Sequence, residues 1–149
     1  MVIGEFQRRG LFINLIILQK NNNPFKQKEF FLIMELVALL STGKGSWAQV
    51  SGLIKYGEWD RVILVGGNFA KKFTSEKSFE FIEVDLDKKL KDLRDDLSEK
   101  LKGKIKGMEV ALSVASGDGK EHMALISALI NLPVGIRFAA LTKDGVIDL

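Results

Sequence analysis

Two short glycine-containing loops carry the residue types that bind anions: Ser41-Thr42-Gly43-Lys44-Gly45-Ser46 and Ser116-Gly117-Asp118-Gly119-Lys120. Each loop follows a continuous apolar run and precedes a stretch with apolar residues at helical spacing, which predicts a turn from a strand into a helix. Glycine lets a backbone approach a ligand, a helix N-terminus offers unpaired N–H groups, and a lysine adds a full positive charge. The two loops therefore predict a site for an anionic, phosphorylated ligand.

The established phosphate-binding motifs fit these loops only in part. A Walker A motif needs Ser or Thr after its Gly-Lys pair and a glycine five positions before it, and neither Lys44 nor Lys120 has these neighbours. The segment Gly43–Ala48 satisfies the dinucleotide pattern G-x-G-x-x-A. The acid that binds a ribose at the end of the second strand is missing, because Gly66-Gly67-Asn68 stands there. A dinucleotide is therefore disfavoured.

Composition narrows the kind of protein further. The chain has 149 residues, of which 46% are hydrophobic and 28% charged, which suits one globular core. It contains no cysteine and a single histidine, His122, so disulfide frameworks, thiolate metal sites and histidine-rich metal centres are excluded. We expect a cytoplasmic protein that needs no metal and no cofactor.

The positive charge is confined to the beginning of the chain. Residues 1–33 hold five basic and two acidic residues, whereas the remainder holds seventeen of each. A neutral body predicts no binding of duplex nucleic acid. The apolar run Leu11–Leu18 is too short to span a membrane and is followed by no signal-peptide cleavage site. Residues 1–33 are either an added strand or hairpin, or a leader translated upstream of a natural start at Met34.

From Met34 onward, strand-like and helix-like segments alternate. The predicted strands are Leu36–Leu40, Arg61–Val65, Phe79–Val84, Met108–Ala115, Ile136–Leu141 and Val146–Leu149, and the predicted helices are Trp47–Tyr56, a helix capped by Asp85 or Asp87 that runs through Lys102, and Lys120–Asn131. This order predicts an α/β domain over 34–149: a three-layer Rossmann-like fold whose mostly parallel sheet of five or six strands has helices on both faces. Right-handed crossovers place the ends of the first and fourth strands at one edge, so the two loops should meet.

Several single residues allow two interpretations. The leucine stripe Leu86–Leu101 fits a helix lying on the sheet or a helical dimer seam. Trp47 is either a core anchor or a stacking platform for a base. His122 is a candidate general base or a residue that caps or packs the helix. Asp118 would repel a phosphate unless its carboxylate accepts from a ribose hydroxyl or a backbone N–H.

The layout over Met34–Leu149 resembles the CRISPR-associated Rossmann-fold (CARF) sensor domains. The resemblance lies in the Ser/Thr/Gly loop after the first strand, in Trp59-Asp60-Arg61-Val62 at the start of the second, and in Gly117-Asp118-Gly119-Lys120 before the helix after the fourth. It implies a homodimer with one symmetric pocket for a cyclic oligoadenylate, a small cyclic RNA. A stand-alone member would be a sensor, or a metal-independent ring nuclease that cleaves this messenger. The alternative is a Rossmann-like binder or enzyme for an ordinary nucleotide.

Carried over to this chain, the resemblance implies that Ser41–Ser46 and Ser116–Lys120 hold phosphates and riboses. The expected ligand-binding residues are Ser41, Thr42, Gly43, Lys44, Gly45, Ser46, Gly66, Gly67, Asn68, Ser116, Gly117, Asp118, Gly119, Lys120 and His122. Ring cleavage requires that a ribose 2′-OH be aligned with its own phosphate and that the developing negative charge meet a cation. We expect Ser41, Thr42 or Ser116 to orient the hydroxyl and Lys120 or Lys44 to supply the charge. The expected catalytic residues are Lys120, Ser41 and Thr42.

Overall fold

Strands and helices alternate along residues 33–149, the part of the chain that the computed structural model describes. The strands are β1 (Glu35–Leu40), β2 (Arg61–Gly66), β3 (Glu80–Glu83), β4 (Glu109–Ser113), β5 (Gly135–Thr142) and β6 (Gly145–Asp148). The helices are α1 (Lys44–Tyr56), α2 (Leu90–Leu101) and α3 (Gly119–Asn131), and a 3-10 helix spans Asn68–Lys72. The strand, hairpin or leader predicted for residues 1–33 falls outside the described residues, apart from Ile33.

The six described strands form one sheet in the order β3-β2-β1-β4-β5-β6. All neighbouring pairs from β3 to β5 are parallel, and β6 is antiparallel to β5. This confirms the predicted α/β class and the mostly parallel sheet. The strand order reverses at β1, which pairs with both β2 and β4, so the loops after β1 and β4 leave the sheet side by side. In open α/β sheets this is the place where ligands bind.

The central strand β1 anchors two separate clusters of buried side chains. All six of its residues are buried, as expected for the middle strand of a parallel sheet. Leu36, Ala38 and Leu40 pack in one cluster with α1, whereas Val37 and Leu39 pack in the other with α2 and α3. Successive strand residues point in opposite directions, so alternate residues of β1 contribute to different clusters.

The leucine stripe of α2 lies within the second cluster. Leu93, Leu97 and Leu101 are fully buried there, beside side chains of β1 and α3. Leu90, at the start of the helix, is partly exposed. The interpretation as a helix packed on the sheet is therefore confirmed for these three leucines.

The predicted starts of two helices were wrong. Neither Asp85 nor Asp87 caps α2, which begins at Leu90. Lys89 occupies the N-cap position, and its side chain makes no capping hydrogen bond. Instead, Asp85 Oδ1 accepts from the Asp87 amide at 3.0 Å and closes a local turn, a bond that competes with helix capping. Helix α1 begins at Lys44 rather than Trp47, so half of the first glycine loop forms its first turn.

Asp96 of α2 pairs with two lysines, one just before the helix and one near its end. Its carboxylate accepts from Lys100 at 3.1 Å and from Lys88 at 3.2 Å. Burial raises the pKa of Asp96, but the hydrogen bonds and positive charges of Lys100 and Lys88 outweigh burial and hold this pKa below the usual value for aspartate. The folded state therefore binds this proton more weakly than the unfolded chain does.

Replacing Asp96 with asparagine should reduce stability in a pH-dependent way. The stabilisation is complete above the unfolded pKa of about 4 and disappears as the pH falls through the lower folded value. Because solvent screens both lysines, we expect a loss of about 0.5–1 kcal/mol at neutral pH in urea denaturation and almost none near pH 2. Asp95→Asn, at the exposed neighbouring aspartate, is the control. An equal loss at both pH values would contradict the electrostatic explanation.

Candidate functional site

The two glycine loops meet at the carboxyl edge of the sheet, as predicted. The Ser41 amide donates to Ser116 Oγ at 2.9 Å, and the Ser41 hydroxyl donates to Glu121 Oε1 at 3.1 Å. Ser116 and Glu121 are both buried, so these bonds form a shielded junction between the ends of β1 and β4. Any ligand at this edge would be held by loops that are fixed to each other.

Trp47 fixes the first loop from the side of α1. Its indole Nε1 donates to the Ser41 carbonyl at 2.7 Å. Its ring lies 5.6 Å from the ring of Phe69 and 5.9 Å from that of Phe73, centroid to centroid. It also packs against the cluster of buried side chains that includes α1. This environment supports the core-anchor interpretation of Trp47.

The N-terminus of α1 is open to an anion. Gly43 occupies the N-cap position, no side chain caps the helix, and its first turn contains no acidic residue. The Ser46 hydroxyl turns back to the Gly43 carbonyl at 2.6 Å, and a Cβ added at Gly45 would meet no atom within 4 Å. No acidic side chain in this first turn therefore offsets the partial positive charge of the helix end. The side chain of Lys44 is not among those that the structure describes.

The N-terminus of α3 is closed by the chain's own carboxylates. Asp118 Oδ1 accepts from the Glu121 amide at 2.8 Å, and Glu121 Oε2 accepts from the Asp118 amide at 3.3 Å, which is a capping box. Asp118 thus accepts from a backbone N–H, which is one of the two roles predicted for its carboxylate. Gly119 follows as the first residue of α3. Two carboxylates at this helix end disfavour a phosphate there, so two loops of similar composition differ in their electrostatics.

Gly117 and His122 shape the second loop. Gly117 has φ +112°, and an added Cβ would lie 2.9 Å from both Glu121 Oε2 and His122 Nε2 and would clash with the Leu39 side chain. His122 Nε2 lies 2.8 Å from the Ser116 carbonyl. A carbonyl oxygen only accepts, so Nε2 carries the proton in this bond. The geometry supports a role for His122 in fixing the loop.

The ammonium of Lys120 is bonded to a third loop rather than to Ser41 or Ser116. Its Nζ donates to the carbonyls of Leu86 at 2.7 Å and Lys88 at 3.0 Å, both in the loop between β3 and α2. Of the three expected catalytic residues, Ser41 is held by Glu121, Lys120 is bonded to this other loop, and only Thr42 is exposed without a described partner. Geometry thus brings Ser41 and Ser116 together, whereas the described hydrogen bonds of Lys120 go to Leu86 and Lys88.

A cleft of about 550 Å³ opens beside the first loop, at the ends of β1, β2 and β3. It is lined by Thr42, Gly67, Asn68, Phe69, Glu83, Val84, Asp85, Leu86, Asp87 and Lys100. Its volume lies within the range of small-molecule sites. Gly66 does not line it: a Cβ there would lie 2.7 Å from the Leu40 carbonyl, so this glycine allows close packing of β2 on β1.

The carboxylates of this cleft are the functional candidates that sequence reasoning missed. Glu83, Asp85 and Asp87 line it together with a single lysine, Lys100, and Glu83 is paired with Lys71 at 2.6 Å. Carboxylates accept from hydroxyl and amine groups and repel phosphates. The signal available in the sequence was the alternation of acids at positions 83, 85 and 87. For the buried Glu121, the signal was the spacing D-x-x-E of the capping box.

Residues 33–149 contain neither a candidate metal site nor a helix that could cross a membrane. No three histidine, aspartate or glutamate side chains in this range are grouped so as to hold a metal ion. Within the same range, no helix has the length and apolar character needed to cross a bilayer. Models of known protein families match no part of the chain, and no curated protein sequence is significantly similar to it.

Proposed function

We propose that the carboxyl edge of the sheet binds a small nucleotide, with a phosphate at the N-terminus of α1 and a ribose and base in the adjoining cleft. The observation that carries this proposal is the adjacency of two complementary environments. Thr42 precedes the uncapped helix end and also lines the cleft, whose other walls supply carboxylates and the ring of Phe69. The open helix end suits an anion, while the carboxylates suit ribose hydroxyls.

In this proposal the domain is a three-layer Rossmann-like fold, with α1 on one face of the sheet and α2 and α3 on the other. The two separate clusters of buried residues support that arrangement. The strand order and the meeting of the β1 and β4 loops also support a ligand at this edge.

Within this class, cyclic oligoadenylate is the first candidate ligand, because the loops and strand starts resemble those of CARF domains. A cyclic ligand offers repeated phosphate, ribose and base groups, and a homodimer would present two equivalent edges to one ring. A cytoplasmic location follows from such a messenger. An ordinary nucleotide is the second candidate, and one observation favours it: a single chain already forms a cleft of about 550 Å³ at this edge.

The same site could cleave a cyclic ligand if it aligned a ribose 2′-OH with its own phosphate. Attack of this hydroxyl would displace the 5′ oxygen and leave a 2′,3′-cyclic phosphate. Thr42 is exposed and able to orient the hydroxyl, while N–H groups at the start of α1 would stabilise the developing charge. Incubation with EDTA followed by chromatography tests this step, and an intact ring after long incubation leaves a binding module only.

Adding a carboxylate at Gly45 should abolish the proposed phosphate site without unfolding the protein. The position is helical and has open space around it, and an acid in the first turn favours the helix. We expect Gly45→Asp to weaken nucleotide binding by about tenfold or more, since it places a negative charge where the phosphate would lie. Isothermal titration calorimetry with cyclic tetra-adenylate, cyclic hexa-adenylate, ATP and NAD measures this.

Gly119→Asp is the matched control, because it adds the same charge at the N-terminus of α3, also in open space. That helix end is already occupied by its own capping carboxylates, so binding should change much less. Equal losses in the two variants would contradict the placement of the phosphate. If the unmodified protein gives no heat with any of the four compounds at tens of micromolar, the proposed function is wrong.

A further inference from the structure

Lys120 makes the only described side-chain hydrogen bonds between the second loop and the loop that joins β3 to α2. We propose that Lys120 is a positioning residue that holds the acidic wall of the cleft, defined here as Asp85, Leu86 and Asp87. Its ammonium donates to the Leu86 carbonyl at 2.7 Å and to the Lys88 carbonyl at 3.0 Å, across 34 and 32 residues of sequence. These two carbonyls belong to the residues on either side of Asp87. The lysine therefore binds the wall at the point where Asp87 lines the cleft.

Apart from the packing of the Leu86 side chain against the buried cluster of α2 and α3, the other described hydrogen bonds of the acidic wall lie within its own turn. Asp85 Oδ1 accepts from the Asp87 amide at 3.0 Å, and the Asp85 carbonyl accepts from the Lys88 amide at 3.3 Å. These bonds satisfy N–H groups of the turn but leave the carbonyls of Leu86 and Lys88 to an outside donor. Lys120 is that donor, and a charged donor makes a stronger hydrogen bond than a neutral one.

The backbone of Lys120 is itself held firmly. It is the second residue of α3 and lies between Asp118 and Glu121, which form the capping box. Among the described residues, no carboxylate lies within ion-pair distance of its ammonium, so carbonyl dipoles are its partners. This explains why the second loop carries a lysine even though two carboxylates close its helix end to phosphate.

The claim about the wall does not depend on any ligand, whereas its effect on affinity rests on the proposed function. A wall that moves freely would no longer present Asp85 and Asp87 at fixed positions to a ribose. Loss of Lys120 should therefore act on binding through the loop between β3 and α2.

Amide hydrogen exchange in the full chain tests the positioning role directly. Lys120→Met removes the ammonium and keeps an unbranched side chain. We expect amides 86–90 to exchange about tenfold faster or more, while the protection of β1 and α3 stays unchanged. Lys91→Met is the matched control, since Lys91 is an exposed lysine in the first turn of α2. Unchanged exchange of 86–90 in Lys120→Met would overturn the proposal.

The absence of cysteine from the chain allows a chemical rescue. Lys120→Cys can be alkylated at this one thiol with 2-bromoethylamine, which restores an ammonium at nearly the lysine length, or with iodoacetamide, which leaves a neutral side chain. Protection of 86–90 should return only with the amine, and recovery with neither or both reagents would contradict the inference. Comparing these two forms of one variant also separates loop positioning from a general loss of stability.

Affinity for whichever of the four compounds binds provides the second measurement. A weaker affinity together with faster exchange of 86–90 supports positioning. A weaker affinity with unchanged exchange would instead make Lys120 a direct ligand contact and overturn the proposal. If none of the compounds binds the unmodified protein, the proposed function fails while the exchange result still decides the role of Lys120.

Discussion

Replacing Glu35 with alanine should lower the free energy of unfolding by about 2–4 kcal/mol, because it removes a buried carboxylate that accepts from two backbone N–H groups and from a partly exposed arginine. Glu35 opens β1 and is almost completely buried. Its carboxylate accepts from the Gly107 amide at 2.7 Å, from the Lys106 amide at 3.0 Å, and from the guanidinium of Arg61. Alanine would leave the part-buried amides of Lys106 and Gly107 without this acceptor, while Arg61 would keep the Lys104 carbonyl and Glu80 as partners.

Urea denaturation measures this effect, and two further variants interpret it. Glu35→Gln keeps one acceptor oxygen but loses the charge, so we expect a smaller loss of about 1–3 kcal/mol. Glu99→Ala, at an exposed glutamate of α2, should stay within about 0.5 kcal/mol of the unmodified protein. A loss below about 1 kcal/mol for Glu35→Ala would show that solvent reaches these donors.

The Glu35→Ala variant also tests whether the two edges of the sheet act independently. Glu35 lies at the amino end of β1, and the proposed site lies at the carboxyl end of the same strand. Once corrected for the folded fraction, nucleotide affinity should therefore be unchanged in Glu35→Ala. A specific loss of affinity would mean that the two edges are coupled through β1.

Gly117→Ala should be the most damaging single change in the two loops, with an expected loss of about 2–4 kcal/mol from backbone strain and overpacking together. Its φ of +112° is unfavourable for a residue with a Cβ. The new methyl group would also press on Leu39 and lie 2.9 Å from polar atoms of Glu121 and His122. Glu121 connects the second loop to the first through Ser41, so nucleotide affinity should fall as well.

Gly103→Ala isolates the conformational part of this effect. Gly103 also has a positive φ, +76°, but a Cβ added there would meet no atom within 4 Å. We expect it to cost only about 1 kcal/mol in urea denaturation and to leave affinity unchanged. Equal losses at the two glycines would argue against crowding around Gly117.

The sheet and the meeting of the loops could be predicted because both depend on patterns within single segments. The buried runs in β1 and β4 and the helical spacing after them identify parallel strands with crossover helices. The direction of a long side chain depends instead on contacts with distant parts of the chain. Nothing near Lys120 in sequence specifies that its ammonium reaches carbonyls 32 and 34 residues away.

The cap predicted at Asp85 or Asp87 failed for a local reason. An aspartate can accept from the amide two residues ahead as readily as from the first turn of a helix, and the two outcomes share one sequence pattern. Asp85 closes a turn, which moves the start of α2 to Leu90 and leaves residues 85–87 to line a cleft. The acids of the candidate site were visible in the sequence, but their role depended on this choice.

The outer strand β3 also affects how the protein behaves at high concentration. An unpaired sheet edge is a template for a strand from another chain and hence for aggregation. β3 has only four residues and a glutamate at each end, and Lys104 and Lys71 pair with Glu80 and Glu83 at 2.5 Å and 2.6 Å. A short edge with paired charges is a poor template for strand addition. Among the described strands, β3 thus both leads into the acidic cleft and makes its own edge of the sheet a poor site for polymerisation.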